Sequence, residues 1–465
     1  MKKLVFILLI LISKQINSQI TLEKQDYTSD FDILIESLIE LHPKLYSCIT
    51  KEEFDFEVKT IRKRLEGISS KSKAIYIIQE LIYKLGNSHA INTSIYQEPD
   101  LKYILPFSVF IIEKRLYIKN CPTDKSLNGL ELLKINNTPS ELLIDSLKIF
   151  FPTDGNSNVI NYNLQPLFNG LYGNFCQEKE INSISTKNGD ILIKSAISGD
   201  KVYDEMIFEN AKAYFGENRF LKKEINEDYG YGYFQFVGFV SEYKGFKIEK
   251  DFYQFIKEAN NKKLKAIIID LRINNGGDPY LCGKMTSYLA DHPFKIVEKS
   301  YITKTYKPSH IDKMGNKSIY RLRKLKSKKG DELNEIVRFE KGLKFIKPKN
   351  NRFKGKIYIL TGTITQSSST MMCKYLMDQE NVTFVGSHQM GAVNYFWGSS
   401  HCQLNLPQLN TTFSFGLELI ELKENSSKTE KPIGLTPDYL IQYSIEDRML
   451  GIDKEMDFIK KELKK

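Results

Sequence analysis

Apolar positions near the start of the chain recur with the spacing of a helix. Over residues 30–41 they lie three or four positions apart, which places them on one helical face. The same spacing returns over Glu52–Leu65 and Ser72–Leu85. The pattern predicts a small helical region over residues 20–95, with Ser88-His89 just after its last helix.

The extreme N-terminus has a different pattern. Lys2-Lys3 precede an apolar run from Leu4 to Ile12, and polar residues follow as far as Ser18. A charged start, a short apolar stretch and a small residue at the end are typical of a secretory signal peptide. The run is too short to span a bilayer. We therefore expect a signal peptide over residues 1–18, no transmembrane anchor, and a periplasmic or extracellular location.

Residues 96–212 read as a β-rich middle region. Short apolar runs occur at Ile104–Ile112, Leu116–Lys119 and Leu130–Ile135. Asn136-Asn137 then signals a turn, and a helix-like stretch follows over Ser140–Phe150.

From residue 213 to 445, continuous apolar strands alternate with helices. Strand-like runs end at Val240, Ile269, Leu360 and Val385, and helix-like segments separate them. This alternation predicts an α/β domain with a largely parallel, buried sheet flanked by helices. A Lys-rich stretch near 299–354 is predicted to be a surface insertion, and residues 446–465 a C-terminal helix.

Composition excludes several classes of protein. The chain of 465 residues has a net charge of +10, but many lysines lie beside glutamates and no nucleic-acid-binding motif is present. Six scattered cysteines form no CxxC pair, which favours free thiols. We find no metal-ligand cluster and no coenzyme motif, so no cofactor is expected.

Candidate chemistry begins at the strand that ends in Asp270. The strand leads into Asn274-Asn-Gly-Gly277, and paired glycines let the backbone turn so that its N–H groups face a bound group. Such groups can stabilise an oxyanion. The alternative is a tight turn without chemistry.

A second candidate is the serine cluster Ser367-Ser368-Ser369, which opens a predicted helix after another buried strand. A hydroxyl there lies where the helix dipole favours developing negative charge. The alternative is simple N-capping, for which serine is a preferred residue.

Ser88-His89 is the third candidate, because a histidine can take a proton from a serine near neutral pH. The alternative is a structural or surface histidine.

Together and in this order, these segments resemble the C-terminal processing (tail-specific) protease family, and in catalytic pattern its tricorn core protease branch. Asp270-Leu-Arg with its glycine turn is similar to the strand-end motif of the family, and Thr361–Thr370 to its nucleophile segment. Val385-Gly386 with Gly391, and Pro432-Ile-Gly-Leu-Thr-Pro-Asp438, resemble its later segments.

The resemblance implies a crotonase/ClpP-like protease core preceded by the helical region and a small β-rich PDZ-like module. The module would span Leu101–Phe150 and would take a peptide as an added strand.

The resemblance also implies catalytic roles. Counting back from Gly391 places the nucleophile on Ser367, with Ser368 as the alternative. Ala392 stands where the lysine-using branch has its base, so the resemblance assigns that role to His89, assisted by Ser88. Glu430 is the implied acid, and Glu424 is the second choice.

The implied oxyanion donors are the amide of Gly276 or Gly277 and that of Ser368. Thr370 and Asn87 depart from the pattern of the family. The resemblance therefore implies an exported endopeptidase or carboxy-terminal processing peptidase acting on peptides or proteins. The alternatives are an inactive peptide- or glycan-binding protein on the same fold and a related acyl-transfer or hydratase enzyme. The sequence leaves the oligomeric state open.

Overall fold

The computed structural model describes most of the chain after residue 25. Its described residues are 26–96, 101–156, 159–160, 163–176, 178–206, 220–242, 245, 247–304, 307–324, 327–330, 333–336, 345–422, 432 and 434–465. The predicted signal peptide over 1–18 and the candidate acids Glu424 and Glu430 lie outside the described residues.

The helices and strands are numbered in chain order. The helices are α1 (Tyr27–Leu41), α2 (Lys51–Leu65), α3 (Lys71–Lys84), α4 (Ser140–Leu147), α5 (Leu164–Leu171), α6 (Ile248–Asn261), α7 (Pro279–Thr286), α8 (Asn316–Lys324), α9 (Ser368–Leu376), α10 (Ile445–Met449) and α11 (Lys454–Leu463). The strands of the first half are β1 (Ile91–Asn92), β2 (Tyr103–Ile104), β3 (Ser108–Ile112), β4 (Arg115–Asn120), β5 (Glu131–Leu132), β6 (Lys134–Ile135), β7 (Thr138–Pro139), β8 (Ile181–Thr186), β9 (Gly189–Lys194) and β10 (Ala196–Ile197). Those of the second half are β11 (Leu221–Asn226), β12 (Tyr231–Phe236), β13 (Ala266–Asp270), β14 (Lys299–Ile302), β15 (Ser327–Lys328), β16 (Asn334–Ile336), β17 (Lys356–Thr361), β18 (Val382–Gly386), β19 (Tyr395–Leu406), β20 (Thr411–Glu421) and β21 (Tyr439–Leu440).

The three N-terminal helices form where the apolar spacing predicts them. Each begins with a side chain that accepts a backbone N–H at its N-terminus: Asp26 for α1, Thr50 for α2 and Ser70 for α3. Glu53 completes a capping box with Thr50. Short strand β1 follows α3 and pairs with β20, so the segment that carries Ser88-His89 is held between the helices and a distant sheet.

The middle region contains two small antiparallel sheets. One has the order β3-β4-β5 and the other β7-β6-β8-β9, while β2 pairs with β10. Because β6 pairs with β8, and β2 with β10, the strands before residue 150 complete their hydrogen bonds with strands beyond residue 180. The unit therefore extends past Phe150 and includes the segment around β8 to β10.

A mixed sheet forms the centre of the second half of the chain. Its order is β11-β12-β13-β17-β18-β21, with β11 antiparallel to β12 and the remaining pairs parallel. Every residue of β13 and β18 is buried. One face packs against α6, α7 and α9, and the other contacts Ile459 of α11. The domain has the mixed α/β architecture expected, with helices packed on the sheet.

The Lys-rich stretch after residue 299 contributes to a second sheet. Its strands β14, β16 and β15 extend the sheet from one edge of β20, to which β1 also pairs, while β19 pairs along the opposite edge. Met314 and Leu322 of the same stretch are buried. The stretch is therefore structural in part. Short apolar runs did not indicate this, because the strand that joins it to the sheet, β14, pairs with β20 about 120 positions later.

Two further features bear on the cellular setting. In the described ranges, no helix combines the length and apolar character needed to cross a bilayer. All six cysteines fall within these ranges, and each is a free thiol.

Arg272 joins the central sheet to the C-terminal helix. Its guanidinium donates to Asp270 at the end of β13 (2.7 Å), to Asp453 (2.9 Å) and to Glu455 (3.1 Å). Asp270 also accepts the hydroxyl of Tyr233 at 2.7 Å. Asp270 and Glu455 are nearly inaccessible to solvent, so a partner removed from this network leaves buried charge uncompensated.

We expect Arg272→Met to lower the free energy of unfolding by about 3 kcal/mol, since it leaves buried carboxylates unpaired. Urea denaturation followed by circular dichroism measures the change. Arg115→Met is the matched control, because the Arg115–Glu131 pair lies at the surface, where an ion pair contributes little to stability. Equal losses in the two variants would contradict the structural role of Arg272.

Candidate active site

The glycine turn after β13 is shaped by one buried amide, that of Asn274. Its Oδ1 accepts the N–H of Gly276 at 2.9 Å and the hydroxyl of Ser369 at 2.6 Å. Its Nδ2 donates to the carbonyl of Phe236 at 3.0 Å. Asn274 therefore connects β12, the turn and the start of α9.

The loop between β17 and α9 is fastened to the same turn. Thr365 donates its hydroxyl to the carbonyl of Leu271 at 2.8 Å and accepts the N–H of Gly362 at 3.0 Å. A side chain at position 362 would meet the backbone of Arg272. The strand-end motif and the serine loop are thus one packed unit.

Ser367 has an unusual backbone conformation. Its φ of 55° and ψ of −124° are rarely adopted by a residue with a side chain. Such a conformation costs roughly 1–3 kcal/mol and persists only where the surroundings determine it. Ser367 occupies the N-cap position of α9, yet its side chain does not cap the helix, so the capping alternative fails for this residue.

The neighbouring hydroxyls of the cluster have structural partners. Ser368 donates to the carbonyl of Gly277 at 2.7 Å, and Ser369 donates to Asn274. Both residues are buried, whereas Ser367 is partly exposed. Its hydroxyl makes no hydrogen bond to another described residue, so it is the serine of the three with a free nucleophilic oxygen.

Gly276 packs directly against the backbone around Ser367, and this close approach requires a residue without a side chain. A Cβ at Gly276 would be 2.6 Å from the Cβ of Ser367 and 2.9 Å from the amide nitrogen of Ser368. The N–H of Gly276 itself donates a hydrogen bond to Oδ1 of Asn274. Of the three amides expected to face an oxyanion, Gly276 is therefore already occupied, which leaves those of Gly277 and Ser368.

The histidine segment is ordered by Asn87. The Oδ1 of Asn87 accepts the amide of His89 at 2.9 Å, and its Nδ2 lies 2.8 Å from Nε2 of His42. Burial lowers the pKa of His42 to about 3, so this ring is neutral and accepts the bond. Asn87 suits this position because an amide can both donate and accept.

His89 lies against aromatic rings. It stacks on Phe396 of β19, with ring centroids 5.9 Å apart, and its centroid is 5.3 Å from that of His401. Its Nδ1 is 3.2 Å from the hydroxyl of Ser88. Burial of the ring, with a smaller contribution from His401, lowers the pKa of His89 to about 3, so the imidazole is neutral and able to accept a proton.

Asp154 connects the histidine loop to the serine loop. Its Oδ1 accepts the amide of Ser88 at 2.9 Å, and its Oδ2 accepts the amide of Ala392 at 3.2 Å. The preceding residue Gly391 packs on Gln366, because a Cβ there would be 2.6 Å from the Cα of Gln366. Asp154 therefore links the His89 loop to the loop after β18, which in turn packs on the Ser367 loop, while the Ser367 hydroxyl and the His89 ring are not hydrogen-bonded to each other.

Sequence reasoning did not identify Asp154. It follows an apolar run in a segment with no clear periodicity, and no local pattern marks its partners, which are about 66 and 238 positions away.

A second residue that sequence reasoning missed is Glu418. It is fully buried on β20 and accepts the Ser300 hydroxyl at 3.3 Å. Its cross-strand partner is Gly398, where a Cβ would be 3.7 Å from Nε2 of His89. Directly paired residues share a face of the sheet, so Glu418 lies on the side of the sheet that contacts His89.

We expect the stability contribution of Asp154 to depend on pH. Burial raises its pKa to about 6, although amide hydrogen bonds from Ser88 and Ala392 oppose the rise. A raised acid pKa gives stability that is present below about pH 4 and lost as the pH rises through about 6. The stability advantage of the wild type over Asp154→Asn should therefore fall by about 3 kcal/mol between pH 4 and pH 7, measured by urea denaturation. An advantage that grows with pH would show that the amide bonds outweigh burial.

Comparisons with known proteins agree with this architecture. Residues 230–441 match the family model "Peptidase family S41". The solved structure of mature CPAF complexed with lactacystin aligns with a TM-score of 0.61 at 14% identity, covering 93% of this chain and 97% of that chain. Mature CPAF alone aligns with a TM-score of 0.60 at 14% identity, over 93% and 96% of the two chains. At these identities the likeness concerns the fold. A search of curated proteins gave no match. Residues 230–441, a little under half of the chain, are thus the segment that is similar to peptidase family S41.

Proposed function

We propose that this chain is an exported serine peptidase in which Ser367 attacks the peptide carbonyl and His89 acts as the base. The observation that carries the proposal is the backbone conformation of Ser367 together with its unbonded hydroxyl. It has a strained backbone at the head of α9, and its hydroxyl is the one in the serine cluster without a structural hydrogen bond among the described residues. The match of residues 230–441 to a peptidase family model supports the reaction class.

In the acylation step, the oxygen of Ser367 forms a bond to the carbonyl carbon and its proton passes to His89. Ser88 engages Nδ1 of His89, which leaves Nε2 to take the proton. The C–N bond then breaks, and the protonated histidine returns the proton to the leaving amine. Water hydrolyses the acyl-enzyme by the same exchange.

The oxyanion of the tetrahedral intermediate would lie beside the glycine turn, at the start of α9. We assign its donors to the amides of Gly277 and Ser368, since the amide of Gly276 is bound to Asn274. The Ser368 amide is at the N-terminus of α9, where helix N–H groups lack intrahelical partners and the dipole favours negative charge.

An acid near His89 would stabilise the imidazolium that forms during the reaction. The low pKa of His89 means that its surroundings make a positive charge costly. We assign the acid to Glu430, with Glu424 as the alternative, on the resemblance to the tricorn core protease branch. Glu418 is a buried carboxylate on the sheet face that contacts His89, and it would add to the same field.

Peptide or protein chains are the proposed substrates. The N-terminal pattern of residues 1–18 supports export to the periplasm or the exterior. We propose that the middle region assists binding as a PDZ-like unit, since its short antiparallel strands offer edges to which an extended peptide could add.

We expect Ser367→Ala and His89→Ala each to reduce peptide hydrolysis by roughly a thousandfold or more, because nucleophile and base act as a unit. Ser367→Ala should also abolish labelling by a fluorophosphonate probe. Ser368→Ala is the matched control and should still be labelled, because its hydroxyl is bonded to Gly277. Labelling that survives in Ser367→Ala and is lost in Ser368→Ala would move the nucleophile to Ser368.

The pH profile of kcat/KM tests the base. A His89 with a pKa near 3 stays neutral as the solution is acidified, so activity at pH 5.5 should remain close to that at pH 7. An ordinary histidine would lose most of its activity over this range. A decline near pH 6 that disappears in Asp154→Asn would arise from Asp154 instead. A decline centred near pH 6.5 in both proteins would contradict the neutral, buried His89.

A further inference from the structure

One face of strand β19 holds the ring of the proposed base, His89. Phe396 and His401 both contact this ring, with centroid distances of 5.9 Å and 5.3 Å. They come from either side of Gly398 along the strand, and a Cβ at Gly398 would be 3.7 Å from Nε2 of His89. The base therefore lies against two rings of one strand, over a position that has no side chain.

A β-bulge turns His401 to this face. Directly paired residues share a face of the sheet, and Gly398 pairs with Glu418. In a regular strand His401, three positions after Gly398, would face the opposite side, because side chains alternate. The register shifts between these two residues, so His401 pairs with Gly416, two positions from Glu418, and lies on the same face as Gly398. The extra residue redirects the imidazole to His89, and bulges have this effect beside many active sites.

The two histidines lie where water can still reach them. His89 and His401 are each partly exposed, so the side chain at position 401 decides how much of the His89 ring is hydrated. Hydration stabilises an imidazolium, and its loss favours the neutral ring. Burial, with a smaller contribution from the charge of His401, lowers the pKa of His89 to about 3. His401 is therefore in a position to alter the charge of the base.

Asp154, His42 and Glu418 also face the His89 segment. Asp154 and His42 are hydrogen-bonded to the residues just before His89 rather than to its ring. Glu418 lies on the same face of the sheet and accepts a hydroxyl from β14. His401 differs from these groups because its own ring contacts the ring of the base.

We propose that His401 is a positioning residue, which holds the His89 ring in place and shields it from water so that the base stays neutral in mildly acidic solution. Phe396 supports the ring from the other side of Gly398. His401 acts here as a flat ring and takes no proton from the substrate. The inference rests on the proposed peptidase function and adds to it the residue that protects the base.

Substitutions at position 401 separate the ring from its nitrogen atoms. His401→Phe keeps a flat ring beside His89, so kcat/KM at pH 5.5 should stay close to that at pH 7. His401→Ala opens the site to water, so the pKa of His89 should rise towards its ordinary value of about 6.5, and kcat/KM should fall roughly fivefold or more between pH 7 and pH 5.5. Dividing each value by that of the wild type at the same pH removes the contribution of Asp154.

The matched control is Gln403→Ala. Gln403 is exposed, lies two positions after His401 on β19, and should follow the wild type at both pH values. His401→Gln keeps much of the bulk but lacks a ring, and it replaces the alanine variant in the comparison if that variant does not fold. It should lose activity at pH 5.5 in the same way.

NMR of the histidine rings reads the same effect without turnover. The chain has six histidines, and the His89 signal is identified by its loss in His89→Ala. The signal should remain that of a neutral ring down to about pH 5 in the wild type and in His401→Phe, and should titrate above that pH in His401→Ala. A His89 signal that titrates in the same way in the wild type and in His401→Ala would overturn the role of His401.

The two readouts separate this inference from the peptidase function. If the wild type hydrolyses no peptide but the NMR titrations differ as expected, the shielding by His401 stands and the peptidase function fails. Hydrolysis with the same pH profile in the wild type and in His401→Ala supports the peptidase function and overturns the role of His401. Loss of activity at pH 5.5 in His401→Phe would also overturn it, because a ring alone would then be insufficient.

Discussion

The architecture of the site depends on the strained backbone of Ser367, which packs against Gly276 of the glycine turn. The conformation is costly in isolation, and the surrounding contacts keep it in place. Ser368 and Ser369 tie the start of α9 to the turn, and Asn274 ties the turn to β12. Gly276 permits the close approach, because any Cβ there would overlap with Ser367. A residue held in this way presents its hydroxyl in a fixed direction.

The remainder of the site is a set of polar groups kept away from water. Asp154, His42 and Glu418 are buried. Asp154 and His42 are hydrogen-bonded to the histidine loop, and Glu418 lies on the sheet face that contacts His89. Burial shifts the pKa of His42, His89 and Asp154 in the direction of the neutral form, which leaves both histidines uncharged and Asp154 harder to ionise. The same low polarity strengthens any charge interaction formed during catalysis. Burying these polar groups lowers the stability of the folded protein and at the same time preorganises the site.

The glycine turn, the serine cluster and Ser88-His89 could be identified as candidates from the sequence, because each has a local residue pattern. Asp154 could not, because it is a single acid whose two amide partners are distant in sequence. Glu418 was hidden for another reason. Strand alternation places it on the face opposite to Phe415 and Leu417, which is normally assigned to solvent, whereas the His89 segment covers that face. The strands after residue 299 escaped notice because their pairing is non-local.

Local sequence therefore determined the helices, the buried strands and the order of the chemical motifs, since hydrophobic period and turn residues act over a few positions. Tertiary structure decided which serine has a free hydroxyl and which glycine amide is occupied. Both depend on hydrogen bonds between the turn after β13 and α9, whose residues are about ninety positions apart. It likewise decided that His89 is neutral, because its pKa is set by Phe396, His401 and the packing around them rather than by its neighbours in the chain.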